Sequence, residues 1–182
     1  MDKYGLYFLA ITPPTSISEK IQQIRLFIYN QYGCKQALKA PPHITLHMPF
    51  RFPLNKEEKL LTTLSAFKFE KEIDIQLNNF AVFSPKVIFI DVIKNNEIET
   101  LCHTLKSYIK TNLNIFNETD NMRSFHPHIT VAFRDVKKHQ SSEILNNIQK
   151  QFRVQDTFTT QQIAVLKHNT HYWDVYTTVN WK

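Results

Sequence analysis

Apolar positions along this chain alternate between a period of two and a period near three and a half, and the switches mark out its elements. The run YGLYFLAI, Tyr4 to Ile11, predicts an apolar, aromatic strand. SISEKIQQIRLFIYNQYG predicts a helix, with Ser16 and Glu19 spaced as a capping box and Gly33 as its stop. HITLHM predicts a short strand, NKEEKLLTTLSAF a helix capped by Asn55 with Glu58 three residues on, and the alternating EIDIQLNNF a strand.

The same order then runs a second time. KVIFIDVI predicts an apolar strand, and NNEIETLCHTLKSYIKTNL a helix whose Ile98, Leu101, Leu105 and Ile109 form one stripe. HITVAF predicts a short strand and SSEILNNIQKQF a helix, after which QQIAVLKHN and YWDVYTTVNW predict two strands joined by a polar turn. Phe8 precedes His43 by 35 positions and Phe89 precedes His128 by 39, a repeat of architecture with little residue identity outside the HIT strands. A repeat this long describes two pseudo-symmetric lobes, not a solenoid. The segment NNFAVFSP between the halves is too short and too apolar to be a linker. The expectation is one bilobal α+β domain spanning residues 1–182.

Composition narrows the class. At 182 residues, 42% apolar and 21% charged, the chain reads as globular. No apolar run reaches the roughly 18 residues of a membrane span, and MDKYGLYFLAITPP lacks the features of a signal peptide. Cys34 and Cys102 are too few for a disulfide framework or a thiolate metal site, so a reducing cytoplasm is expected. A net charge of +6 permits an RNA partner, although the lysines are scattered. Two glycines exclude a Gly-rich phosphate loop and a dinucleotide fingerprint, so any phosphate must be held by side chains.

The chemistry sits in two copies of P-H-I-T, at 42–45 and 127–130. In a strand, His43 and Thr45 share one face, as do His128 and Thr130, about 7 Å apart along the backbone, while Ile44 and Ile129 face the core. The preceding prolines fix an extended entry and donate no N–H. If the lobes are related by a pseudo-two-fold axis, one cleft holds two histidines and two threonines. Transfer at phosphorus needs a base for the incoming oxygen and an acid for the leaving one, and imidazole serves both near neutrality. Threonine hydroxyls can bind the non-bridging oxygens without a metal. A third H-x-T, His168-Asn169-Thr170, lies in a polar turn and lacks this strand context. By period-two counting His47 and His126 also reach the cleft face, which raises a rival metal site of His43, His47, His126 and His128. The strands offer it no carboxylate, and the threonines would then have no role. Tyr172, Trp173 and Tyr176 could stack a base, with Lys167 and His168 at the rim, or could simply pack.

With PHITL at 42–46, PHITV at 127–131 and the bilobal order over the whole chain, the sequence resembles the 2H phosphoesterase superfamily, the 2′-5′ RNA ligase or RNA 2′,3′-cyclic phosphodiesterase group. The resemblance implies antiparallel sheets flanked by helices around a central cleft, and no metal or other cofactor. It assigns His43 and His128 as the acid–base pair and Thr45 and Thr130 as phosphate ligands. Many members carry a basic residue five positions after the second histidine. Here that place is Phe133 and Arg134 follows; in an unbroken strand Arg134 shares the face of His128, so Arg134 and His47 are the expected substrate contacts. The expected function is a metal-independent phosphodiesterase on RNA ends or nucleotide cyclic phosphates, with no membrane or obligate protein partner. The alternative is a non-catalytic RNA-binding module using the same basic cleft.

Overall fold

The computed structural model describes residues 3–83, 86–116 and 125–181. Among them, in chain order, run β1 (Tyr4–Ile11), α1 (Thr15–Tyr32), β2 (Ile44–Pro53), α2 (Glu57–Ser65), β3 (Ile73–Phe83), β4 (Val87–Val92), α3 (Asn96–Leu113), β5 (His128–Ala132), α4 (Ser141–Gln151), β6 (Thr157–Thr160), β7 (Gln162–His168) and β8 (Trp173–Asn180). The mixed α and β order follows the sequence reading. The short strand β6, TFTT, was not legible because it carries only one apolar residue.

Helix ends obey backbone geometry more than side-chain signals. Gly33 stops α1 in the left-handed conformation, with φ of 75° and its N–H bonded to the Tyr29 carbonyl, as glycine favours. The Ser16–Glu19 capping box is not used: α1 starts one residue earlier, after Pro14, with no side-chain cap. Asn55 does not cap α2 either, because it lies inside a tight helical turn (Leu54–Lys56) that delivers the chain directly into the helix. Asn95 does cap α3, its side chain accepting the Ile98 N–H at 2.8 Å.

Every strand pairing is antiparallel, and together they make one eight-stranded sheet in the order β6-β3-β4-β5-β2-β1-β7-β8. The two HIT strands β2 and β5 are central neighbours, each flanked by the strand that opens its own half, β1 and β4. Further out the halves exchange material. The strand β3, which closes the first half, pairs with β4 of the second, whereas β7 pairs with β1. Each lobe is thus finished by a strand from the other half of the sequence, which ties the lobes together by backbone hydrogen bonds.

All four helices pack on one face. Ile17, Ile21, Ile24 and Ile28 of α1, Leu60 and Leu64 of α2, the expected α3 stripe, and Ile144 and Ile148 of α4 join Ile11, Ile44, Ile90 and Ile129 of the sheet in one core. The α3 stripe is fully buried, each such side chain contributing about 1.5–3 kcal/mol. The opposite face carries a smaller cluster, Phe8, Ala10, Ala164 and Leu166 with Trp173 packed on it. That face holds the H-x-T side chains. No helix of the described residues is long and apolar enough to cross a membrane.

Candidate active site

The lobes meet at a single registered pair, Ile44 of β2 opposite Ile129 of β5, and both side chains are fully buried in the core. Antiparallel geometry then dictates what lies one step to either side. His43 falls opposite Thr130 and Thr45 opposite His128, all four on the face away from the core, with opposed Cβ atoms roughly 4.5–5.5 Å apart. The pseudo-two-fold axis passes through the isoleucine pair. The neighbouring strands keep step, with Phe89 opposite Thr130, Asp91 opposite His128, and Ala10 opposite Thr45.

Both imidazoles are oriented in the same way. His43 Nδ1 donates to the Pro41 carbonyl at 2.7 Å, and His128 Nδ1 to the His126 carbonyl at 2.8 Å. A carbonyl only accepts, so each Nδ1 carries the proton and each Nε2 is left for a ligand. Pro42 and Pro127 stand between histidine and carbonyl in both copies, which is the physical use of the repeated proline. Phe8 supports the His43 ring at 4.7 Å between centroids and Phe89 supports His128 at 5.2 Å, so each imidazole rests on an aromatic ring of the strand beside it.

Electrostatically the two halves differ. Burial pushes the His43 imidazole down to about 4, and the nearby Arg25 and His128 push the same way against the Pro41 bond. Burial lowers His128 too, and His126 adds to that, while the His126 carbonyl and Asp91 favour its charged form. Asp91 is the asymmetry: β1 carries no carboxylate to match it beside His43, and its Oδ1 takes a 2.9 Å bond with His126 Nε2. Both histidines are therefore neutral above the ordinary histidine value of 6.5.

Residues 13–171 match the family model described as the 2′-5′ RNA ligase superfamily. The chain belongs to that superfamily, the 2H phosphoesterases. No curated protein matches the chain significantly. Among solved structures it is similar to TT0787 of Thermus thermophilus, at 16% identity over 97% of each chain with a TM-score of 0.65. It is also similar to E. coli LigT complexed with 3′-AMP, at 15% identity over 97% of this chain and 98% of that one with a TM-score of 0.66. Usb1 of Kluyveromyces marxianus shares 10% identity over 98% of each chain, with a TM-score of 0.50. At these identities the likeness is one of fold.

Against this superfamily frame, two expected substrate contacts are placed elsewhere. His47 does not line the cleft. The β1–β2 register slips between Leu9 and Ala10, so that His47 comes opposite Leu9, a core residue. Its ring is 2% exposed and packs edge-on against Phe50 at 5.3 Å. Period-two counting fails across such an irregularity. With His47 turned inward, the four-histidine metal constellation is not assembled, and among the described residues no three His, Cys, Asp or Glu side chains gather as a metal group.

Arg134 fails for a related reason. β5 ends at Ala132, and Arg134 sits beyond it at a φ of 63°, exposed, with its guanidinium carbon 5.2 Å from the Phe133 ring centroid. The unbroken strand on which its reading depended is absent. The stray His168-Asn169-Thr170 leads into the β7–β8 turn, where Asn169 bonds the backbone N–H groups of His171 and Tyr172. Trp173 packs on Phe8 and on His168, while Tyr172 is exposed. Tyr176, Lys167 and Tyr7 all bond the Glu57 carboxylate, which fastens the C-terminal hairpin to the start of α2.

Two residues escaped the sequence reading. Arg25 lies behind the site with its guanidinium on the backbone of β5, and Asp91 faces His128. Each had a signal: a charge on the buried stripe Ile17, Ile21, Ile24, Ile28, and a carboxylate inside the apolar run KVIFIDVI.

Proposed function

We propose that this superfamily member is a metal-independent phosphodiesterase that opens 2′,3′-cyclic phosphates at RNA or nucleotide ends, or cleaves 2′-5′ linkages, with His43 and His128 as the acid–base pair. One observation carries the reading: two imidazoles with their Nδ1 atoms held by backbone carbonyls lie on adjacent strands, each opposite a threonine. A phosphate over the Ile44–Ile129 pair meets an Nε2 on either side and a hydroxyl beside each. The neutral imidazole takes a proton from water as the water oxygen bonds to phosphorus. The opposite imidazolium gives its proton to the departing ribose oxygen as that P–O bond breaks. An anion between the rings favours the charged form of the second histidine, offsetting the burial that favours its neutral form. The threonine hydroxyls donate to the non-bridging oxygens, where charge grows in the transition state.

The solved LigT complex with 3′-AMP supports a nucleotide phosphate as the ligand of this fold. Two buried cysteines, Cys34 and Cys102, that form no disulfide support the cytoplasm as its setting. The test is hydrolysis of a 2′,3′-cyclic nucleotide in EDTA by wild type, His43→Ala and His128→Ala. Turnover by wild type and a loss of about 10²-fold or more in both variants is expected. Full activity in either variant overturns the two-histidine mechanism, and RNA binding without turnover in the wild type returns the protein to the binding-module class.

A further inference from the structure

Arg25 is a charged residue where the sequence periodicity calls for an apolar one. It projects from the core face of α1 between Ile21 and Ile28 and is 2% exposed. Its donors all reach backbone carbonyls: Nε and Nη2 bond the Thr130 oxygen at 3.1 and 2.6 Å, and Nη1 bonds the Ala40 oxygen at 2.8 Å. Among the described residues no carboxylate pairs with it. A buried cation with no anion beside it is costly to fold around, so its backbone partners matter.

Its position explains what those partners do for the site. The β2–β5 seam is registered only at Ile44 and Ile129, and beyond His43 the chain runs into Pro42 and Pro41, which have no N–H to extend the ladder. The guanidinium takes over at that point, gripping β5 at Thr130 and the approach to β2 at Ala40. Ala40 precedes Pro41, whose carbonyl orients His43. One side chain therefore holds both H-x-T strands from behind. On the front of the site Arg134 is exposed beyond the end of β5, with its guanidinium over the Phe133 ring.

Resting on the phosphodiesterase reading of the cleft, we infer that Arg25 is a positioning residue that sets the spacing of the two H-x-T strands and supplies the positive potential under the bound phosphate. Burial pulls its guanidinium down to about 9, which leaves it charged at neutral pH. Its field reaches His43, whose protonation it opposes. Acting through a low-dielectric sheet, that field is little screened by salt.

Two variants separate charge from brace. Arg25→Lys keeps the charge and loses the fork; Arg25→Gln loses the charge and keeps a pair of donors. Binding of inorganic phosphate is measured by calorimetry in low salt and in about 0.5 M salt, beside kcat and KM on a 2′,3′-cyclic nucleotide. Arg25→Lys should bind phosphate within about 3-fold of wild type while kcat falls about 10-fold or more, because the strands are misplaced. Arg25→Gln should lose about 10-fold in phosphate affinity as well, and the loss should persist in high salt, unlike that of a surface lysine.

A folded Arg25→Gln that binds phosphate as wild type does overturns the charge role, and an Arg25→Lys with wild-type kcat overturns the bracing role. If neither variant folds, nitrogen-15 spectra of the wild type decide. The Arg25 Nε–H signal must shift with phosphate at the concentration that inhibits turnover, and a signal that ignores phosphate overturns the inference. Wild type that neither turns over nor binds phosphate overturns the phosphodiesterase reading itself, an outcome distinct from the loss of either Arg25 role.

Discussion

Replacing His43 by Gln removes a group whose folded state resists protonation, and the consequence is measurable as stability. The imidazole titrates near 6.5 when free and is pushed down to about 4 in the fold. Between these values the unfolded chain binds the proton and the folded one does not, so stability rises with pH through this window. The contribution is complete above the unfolded value and is lost as pH falls toward 4. Each pH unit separating the two values is worth about 1.4 kcal/mol, so the full swing is about 3 kcal/mol and the part lost by pH 5 is about 2 kcal/mol. That is a ceiling, because His43 keeps some exposure to solvent. For a domain of this size it corresponds to about 4–8 °C in melting temperature. The assay is urea or thermal unfolding of wild type and His43→Gln at about pH 7.5 and about pH 5 in buffer without phosphate. Wild type should lose about 2 kcal/mol more than the variant over that interval. Added phosphate should narrow the gap, since an anion in the cleft favours the charged ring. Parallel losses in the two proteins would refute the placement of His43 in a desolvated, cation-adjacent pocket.

Two further outcomes follow from the same geometry. Both histidines are lowered from 6.5, so kcat/KM should peak on the acid side of that value; Asp91→Asn removes a charge that favours protonated His128 and should move the alkaline limb to still lower pH while leaving the acid limb in place, and an unmoved alkaline limb would detach Asp91 from His128. Thr45→Val and Thr130→Val keep shape and strand preference but remove a hydroxyl, so each should lower kcat/KM by about 10²–10³-fold with little change in melting temperature, and wild-type kinetics in both would deny the hydroxyls a role at phosphorus.

The legible part of this protein was periodic. Strands, helices and the α3 stripe follow from local alternation, and the shared face of His43 and Thr45 needs only that side chains in a strand point alternately. What resisted reading involved breaks in period or partners distant in sequence. One slipped register in β1–β2 sent His47 into the core, and one residue at a positive φ after β5 turned Arg134 to solvent. Asp91 and Arg25 were visible as polar residues in apolar patterns, but nothing local says what a lone charge will meet.

By itself, then, the amino-acid order determined that two similar halves exist, that each presents an imidazole and a hydroxyl on one strand face, and that a proline precedes each histidine. Only the tertiary structure decided that β2 and β5 adjoin, that β3 and β7 are exchanged between the halves, and that an arginine from α1 grips the seam. The division has a physical cause. Side-chain direction is a property of a few consecutive dihedral angles, whereas the choice of strand neighbours is settled by burying one continuous core, to which residues from the whole chain contribute at once.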